Sequence, residues 1–381
     1  MRFGPDFDTL LKRFSPNPSH PLALAVSGGG DSMALLALAH QWHQMSGRSL
    51  QVFTVDHALR PEAADEADSV ADRCRDLGLT HAVLKWDAPR PSQNAARSAR
   101  YTLLSDAARA AGADCILTGH TFDDIVETAM IRRRRGVRSS AIAAPHMAAP
   151  MPVWPIGRGL TLLRPLLSTR RHSLRAHLQR LNWQWKEDPS NSQPVFERVR
   201  VRNFLARHPH LSGVAEGFVR TMQRQAQIDQ FKLGAELLKV DIRADGLIDT
   251  ATARISPTLL RVLARCASGG DSDPRADAID RLLATLRNKG QRQTLGGAWF
   301  QRTHSGFLIG RAPDAPAVTT GGLFDGRYEH SQDAKMDGPS DVAFLVRHAV
   351  PSEANWKEVI SERLKHLALC YQTPRLNPVQ R

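Results

Sequence analysis

Between residues 22 and 135 short apolar runs alternate with longer stretches whose apolar positions recur at helical spacing. The runs are Leu22–Val26, Gln51–Asp56, Ala82–Trp86 and Cys115–Gly119, and the stretches that follow them are 33–45, 62–77, 93–111 and 123–135. Strands covered on both faces read as apolar runs rather than as an alternation. The pattern therefore predicts an α/β fold, a doubly wound parallel sheet with helices on both faces. In such sheets ligands bind beyond the carboxyl ends of the strands. Four polar clusters fall there: Ser27–Ser32, Asp56-His57, Trp86-Asp87 and Gly119-His120.

Further along, residues 136–160 are rich in Pro, Gly, Ala and Met and predict a long loop at the mouth of the site. A helix is expected from Ser168 to Leu181. Beyond about residue 208, Val214, Phe218, Met222, Ile228, Phe231 and Leu237 predict a mainly helical second domain, with helices at Leu259–Ala267 and Ala276–Leu286 and a hairpin at Trp299–Gly310. Residues 311–355 read as loop and Ser361–Cys370 as a short helix. The expected division is 1–208, 209–320 and a C-terminal segment 321–381 without an assigned role.

Ser27-Gly28-Gly29-Gly30-Asp31-Ser32 joins the first strand to the first helix. A glycine-rich turn into a helix gathers backbone N–H groups at the positive end of the helix dipole, which makes an anion site. Glycines let the backbone close on a phosphate, and Ser27 and Ser32 add hydroxyl donors. An acid within a phosphate loop repels its ligand unless a cation intervenes, so Asp31 points to Mg²⁺ together with a nucleotide. The loop lacks the lysine of G-x-x-x-x-G-K-[ST] and does not follow G-x-G-x-x-G.

Gly119-His120-Thr121-Phe122-Asp123-Asp124-Ile125-Val126-Glu127 joins the fourth strand to its helix. Asp124 and Glu127 share one helical face, and two carboxylates at a strand end suit a metal bridging phosphates, with Asp31 and Asp124 as metal candidates. The helix dipole alone accounts for Asp123. Val55–Arg60, with Asp56 and His57, ends the second strand; it is placed to reach a nucleotide, or to cap the helix opening at Pro61-Glu62. Arg97, Arg100 and Tyr101 read either as a cation and ring near substrate or as surface charge. Arg198, Arg200 and Arg202 alternate with valines, along an extended segment or around a helix start. Either way they offer a comb of cations for phosphates.

Composition sharpens this picture. The chain has 381 residues, 42% hydrophobic and 23% charged, with a formal net charge of +13. That fits a soluble protein of two domains and favours a polyanionic partner. The basic residues cluster at Arg132–Arg135 with Arg138, at Arg170, Arg171, Arg175 and Arg180, and at Arg198, Arg200, Arg202 and Arg207. No signal-peptide core or membrane-length apolar run is present, and the four scattered cysteines form no C-x-x-C pair. A cytoplasmic setting without a membrane partner is expected.

The loop pattern Ser-Gly-Gly-x-Asp-Ser resembles that of the PP-loop ATP pyrophosphatases, with their adenine nucleotide alpha hydrolase-like fold. Added to Val55–Arg60, Ala96-Arg97 with Arg100-Tyr101, Gly119-His120 with Asp124 and Glu127-Thr128, Arg135-Gly136, Arg164–Leu167, Trp185 and Glu187–Asn191, it resembles the tRNA(Ile)-lysidine synthetase family over residues 20–205. That resemblance implies ATP with Mg²⁺, free L-lysine and a tRNA(Ile) with a CAU anticodon as ligands. The C2 oxygen of the wobble cytidine is adenylated and lysine then displaces AMP. Ser27–Ser32, with Asp56, His57, Gly119 and His120, would hold the nucleotide. Asp31, Asp124 and Glu127 would be catalytic, with Asp124 or Glu127 holding the lysine amine. Arg97, Arg100, Arg198, Arg200 and Arg202 would meet the tRNA or substrate. The family's Arg-Asn-Arg-Ile-Arg is here Arg198-Val199-Arg200-Val201-Arg202, and its glycine-rich loop is replaced at Val137–Ser140. The oligomeric state stays open, a homodimer included. The competing readings are another PP-loop tRNA-modifying enzyme, such as a thiolase, which commonly uses cysteine pairs, and a non-catalytic RNA-binding relative.

Overall fold

The computed structural model describes residues 1–3, 5–57, 62–87, 92–137, 142, 145–187, 195, 197–243, 247–250, 255–270, 273–286, 290–315, 319–320, 323–324, 328–329, 356–371 and 379–380. Ala58–Pro61, Arg138–Ser140, Asp188–Asn191, Phe196 and most of 321–355, all named above, lie outside the described residues.

Two compact units form, one of residues 1–151, 160–231 and 373–381, the other of 152–159 and 232–372. In the first, the elements run β1 (Arg2–Phe3), α1 (Pro5–Phe14), β2 (Leu22–Ala25), α2 (Gly30–Ser46), β3 (Leu50–Asp56), α3 (Glu62–Asp76), β4 (Thr80–Lys85), α4 (Gln93–Ala110), β5 (Cys115–Thr118), α5 (Phe122–Arg134), β6 (Ala148–Pro150), β7 (Thr161–Leu163), α6 (Arg171–Arg180), α7 (Glu197–Arg207) and α8 (Pro209–Leu237), which continues into the second unit. The central sheet has the order β4-β3-β2-β5-β7-β6, parallel except for β6. Every residue of β2 and β5 is buried, which is why these strands read as apolar runs. Crossovers carry the chain from β2 outward through β3 and β4, then back to β5 on the other side of β2. The strand order thus reverses between β2 and β5, and a crevice opens at their carboxyl ends. The strand β6 lies inside the segment that the sequence presents as loop.

In the second unit α9 (Pro257–Ser268), α10 (Ala276–Thr285) and α11 (Trp356–Tyr371) share one core with the end of α8 and with a five-stranded antiparallel sheet. That sheet, ordered β10-β11-β12-β9-β8, consists of β8 (Asp241–Ile242), β9 (Ile248–Asp249), β10 (Arg292–Leu295), β11 (Ala298–Arg302) and β12 (Phe307–Arg311). The expected hairpin is its β11–β12 pair, in which Trp299 faces Gly310. Ser256 caps α9 by accepting the Leu259 N–H, and Pro257 opens it.

All four cysteines are buried and outside any disulfide: Cys74 and Cys115 in the first unit, Cys266 and Cys370 in the second. Burial pushes the Cys74 thiol up to about 11 and the Cys115 thiol up to about 12. Among the described residues no helix is long and apolar enough to cross a membrane.

Candidate active site

The loop between β2 and α2 is built by its own hydroxyls. Ser32 Oγ donates to Gly29 O at 2.8 Å and accepts the Ser27 N–H at 3.1 Å, closing the turn at the helix start. Gly28 holds φ +81°, a conformation that favours glycine. The Lys186 N–H donates to Gly28 O at 3.0 Å, and Trp185 lies so close to Gly30 that a Cβ there would meet the indole at 3.2 Å.

Gly119, beyond β5, approaches this loop more closely still. A Cβ at Gly119 would lie 2.9 Å from Asp31 O and 3.0 Å from Ser32 Cα. Only a residue without a side chain allows β5 and the start of α2 to meet there. The glycine loop and the Gly119–Glu127 segment therefore form one site at the reversal point of the sheet.

Thr121 precedes α5, and Asp124 turns back on it, accepting the Thr121 N–H at 2.8 Å and its hydroxyl at 2.9 Å. Asp123 instead accepts the backbone N–H of Arg171, the first residue of α6, at 2.8 Å. This link aims Arg171 into the carboxylates. Its Nε donates to Asp31 Oδ2 at 2.8 Å, one terminal nitrogen to Asp124 Oδ1 at 2.9 Å and the other to Glu127 Oε1 at 3.0 Å. One guanidinium thus ties the glycine loop to both acids of α5. Glu127, with a side chain only 3% exposed, also receives Arg202 at 2.8 Å and Arg198 at 3.2 Å.

These contacts set the ionisation. Burial, the largest influence, raises the Asp31 carboxyl above its ordinary value in spite of Arg171. Burial pushes Asp124 the same way, but Arg171, Arg198 and the Thr121 N–H together hold it below the usual carboxylate range. Burial disfavours the charged form of Arg171, and the carboxylates of Asp124, Asp31 and Glu127 override it and hold the guanidinium charged.

Arg198 and Arg202 lie one turn apart on α7 and both engage Glu127, whereas Arg200 donates to Val195 O at 2.8 Å. The alternating arginines therefore wrap a helix rather than line an extended segment. Asp56 and His57 end β3, beside the strand that feeds the loop, and His57 packs edge-on to Trp86. Arg97 stacks on the Tyr101 ring at 4.9 Å on α4. In the basic run, Arg133 packs over Phe218, and Arg135 and Arg134 face Glu197.

The member of the site that sequence reasoning placed only among basic clusters is Arg171. A cation opening a helix opposes the dipole, and that misfit signals carboxylates brought in from elsewhere.

A glycine loop at the sheet's reversal point, backed by acids from the neighbouring strand end, defines an ATP-using protein of the PP-loop class. The family profile described as "PP-loop domain" matches residues 5–209. The tRNA(Ile)-lysidine synthase of Hyphomonas neptunium is 36% identical over 294 residues, covering 74% of this chain and 80% of the relative. That of Rhizobium meliloti is 38% identical over 347 residues, covering 84% and 74%. The chain belongs to the tRNA(Ile)-lysidine synthase family. Among solved structures, the U34-tRNA thiolase NcsA from Methanococcus maripaludis with its [4Fe-4S] cluster aligns with a TM-score of 0.44 at 15% identity, covering 57% of this chain and 77% of that one.

Proposed function

We propose that this protein is an ATP-dependent ligase that joins L-lysine to C2 of the wobble cytidine of a tRNA(Ile) with a CAU anticodon, forming lysidine in the cytoplasm. The observation that carries the chemistry is the joining of Asp31, Asp124 and Glu127 by Arg171 beside the glycine loop, in a chain of this family.

In the first step the C2 oxygen of cytidine attacks the α-phosphorus of ATP. The bond to the bridging oxygen breaks, and its electron pair leaves with pyrophosphate. In the second, the ε-amine of lysine attacks C2, and the C2–O bond breaks as AMP departs. The loop N–H groups with Ser27 and Ser32 hold the phosphates. Positioning of this kind is the main work in phosphoryl displacement.

Asp31 Oδ1 is buried without a hydrogen-bond partner among the described residues, so it is free to take a cation. Both Asp124 oxygens are already engaged by Thr121 and Arg171. Mg²⁺ commonly binds through one or two carboxylates plus substrate phosphates, so Asp31 fits it and Asp124 fits the support of Arg171. Held there by Asp31, Mg²⁺ would supply positive charge to offset that of the phosphates. Held ionised, Asp124 keeps Arg171 in place beside Glu127; the lysine amine sheds its proton before attack. In this reading residues 1–208 carry the chemistry and 209–320 contact the tRNA.

The test is pyrophosphate release from ATP with unmodified tRNA(Ile) bearing a CAU anticodon, with and without lysine. Release that requires this tRNA, with lysine incorporated into the wobble cytidine, is expected. Release without lysine incorporation would move the protein to another substrate.

A further inference from the structure

Past the end of α6 the chain turns back onto the glycine loop. Asn182 takes φ +52°, the Trp183 N–H returns to Leu178 O at 3.0 Å, and residues 183–187 then run past the loop. Lys186 pairs with Gly29 in a parallel bridge, and its N–H donates to Gly28 O at 3.0 Å. The Trp185 indole fills the space that a side chain at Gly30 would need, 3.2 Å from where the Cβ would lie. The indole N–H donates to Glu187 Oε1 at 2.8 Å, and the same oxygen receives Arg175 of α6 at 2.8 Å. Arg175 lies one turn beyond Arg171, which holds Asp31. The helix α6 thus grips the loop twice, through Asp31 and through the chain of Arg175, Glu187 and Trp185.

Each of these contacts constrains the donors of the loop. The Gly28–Gly29 peptide is trans, so its C=O and N–H point in opposite directions. Drawing Gly28 O toward Lys186 turns the Gly29 N–H the opposite way, out of the reach of residues 183–187. A peptide between two glycines is otherwise free to rotate, because neither neighbour has a Cβ to restrict it. Trp185 stops the same motion at Gly30, the first residue of α2, whose N–H is among those that a helix start leaves without an internal partner. The Ser27 and Ser32 bonds close the turn from within; residues 185–187 hold it from outside. Trp185 is only half-buried, and Lys186 and Glu187 are exposed. The tryptophan is therefore placed by its contact with the loop and not by inclusion in a core.

We propose that Trp185 is a positioning residue of the glycine loop: with the Lys186 N–H it sets Gly28–Gly30 in the geometry that receives the phosphates of ATP, and Glu187, braced by Arg175, sets Trp185. The proposal rests on the ATP-using reading of this site. Trp185 acts through the loop backbone, so it bears on the binding of the phosphates and not of the nucleoside. A neighbouring tryptophan supplies the contrast. Trp183 stacks with Arg73 of α3 at 4.8 Å, away from the glycines.

Calorimetric titration of the full chain with ATP and, separately, with adenosine, magnesium chloride present in both, tests this without tRNA or lysine. Trp185→Ala should weaken ATP binding about tenfold, as expected when one or two donors to a charged group lose their aim, and leave adenosine within about twofold of wild type. Trp185→Phe keeps a ring against Gly30 and should recover most of the ATP affinity. Glu187→Ala, at an exposed position, should show a smaller loss of the same phosphate-dependent kind, about threefold. Trp183→Ala should leave the ratio of ATP to adenosine affinity at the wild-type value. ATP affinity within about twofold of wild type in Trp185→Ala, or in Glu187→Ala should Trp185→Ala not fold, would overturn the proposal. So would an equal loss for adenosine, or a loss in Trp183→Ala matching that in Trp185→Ala, either of which makes Trp185 a general prop of the fold. A wild type that binds no ATP would remove the ATP-using reading and the proposal with it. If the expected pattern is found and no lysidine forms, the positioning role stands and the ligase reading falls.

Discussion

Replacing Arg171 by methionine removes the one group that bonds Asp31, Asp124 and Glu127 together. The Arg171 side chain is 14% exposed, so solvent screens these contacts little. Removing one partner of a buried ion pair typically costs about 3–5 kcal/mol. Glu127 retains Arg198 and Arg202, so the penalty falls on the other two acids and should lie near the lower end, about 3 kcal/mol at pH 7. In the wild type Asp124 titrates below its ordinary value. It therefore contributes stability above the unfolded-state pKa of about 4 that is lost as pH falls through its folded value. Without Arg171 the largest remaining influence on Asp124 is burial, which raises it, as already happens at Asp31. A carboxyl raised in the fold penalises the native state at neutral pH, and the penalty fades as pH falls toward the raised value. Urea unfolding of wild type and R171M at pH 7 and pH 5, followed by tryptophan fluorescence, should show a gap that narrows in acid. R171K, which restores charge but not the three-way fork, should recover only part of it. A gap below about 1 kcal/mol at pH 7, or one that does not change between the two pH values, would refute the role assigned to Arg171.

Three further outcomes are expected. Gly119→Ala forces a Cβ to within 2.9 Å of Asp31 O; it should destabilise the fold by about 1–3 kcal/mol and weaken ATP binding, and calorimetry showing unchanged ATP affinity would contradict the close approach. Asp124→Asn should abolish lysidine formation while tRNA is still bound in a filter assay; near-normal turnover would remove Asp124 from the mechanism. Affinity for tRNA should fall steeply between 50 and 200 mM salt, by about 10³-fold if some six phosphates are contacted, and a flat response would show that the arginine clusters do not meet the backbone.

The first unit was legible because its strands are buried on both faces and its helices are long enough to show a period. Strand and helix limits fall within a few residues of those predicted: Leu22–Ala25 for Leu22–Val26, Glu62–Asp76 for 62–77. The strands β6, β8 and β9 have only two or three residues, too few to carry a periodicity, so they are visible only through their pairing. The same distinction holds at the site. Asp124 and Glu127 could be placed on one face because they are neighbours on one helix. Arg171 meets partners separated from it by 44 to 140 residues. No local pattern reports such a contact; the only trace is a cation at a helix start. Trp185 belongs to the same class: its place against Gly30 follows from the pairing of Lys186 with Gly29, which the chain around it does not encode.

The four buried cysteines have a practical corollary. A thiol held up near 11 or 12 in a closed interior presents almost no thiolate to an alkylating reagent, so modification must wait for the surrounding structure to open. With Cys74 and Cys115 in one unit and Cys266 and Cys370 in the other, each unit carries its own pair of chemical clocks, and the rates at which the two pairs take up label count the openings of the two units separately.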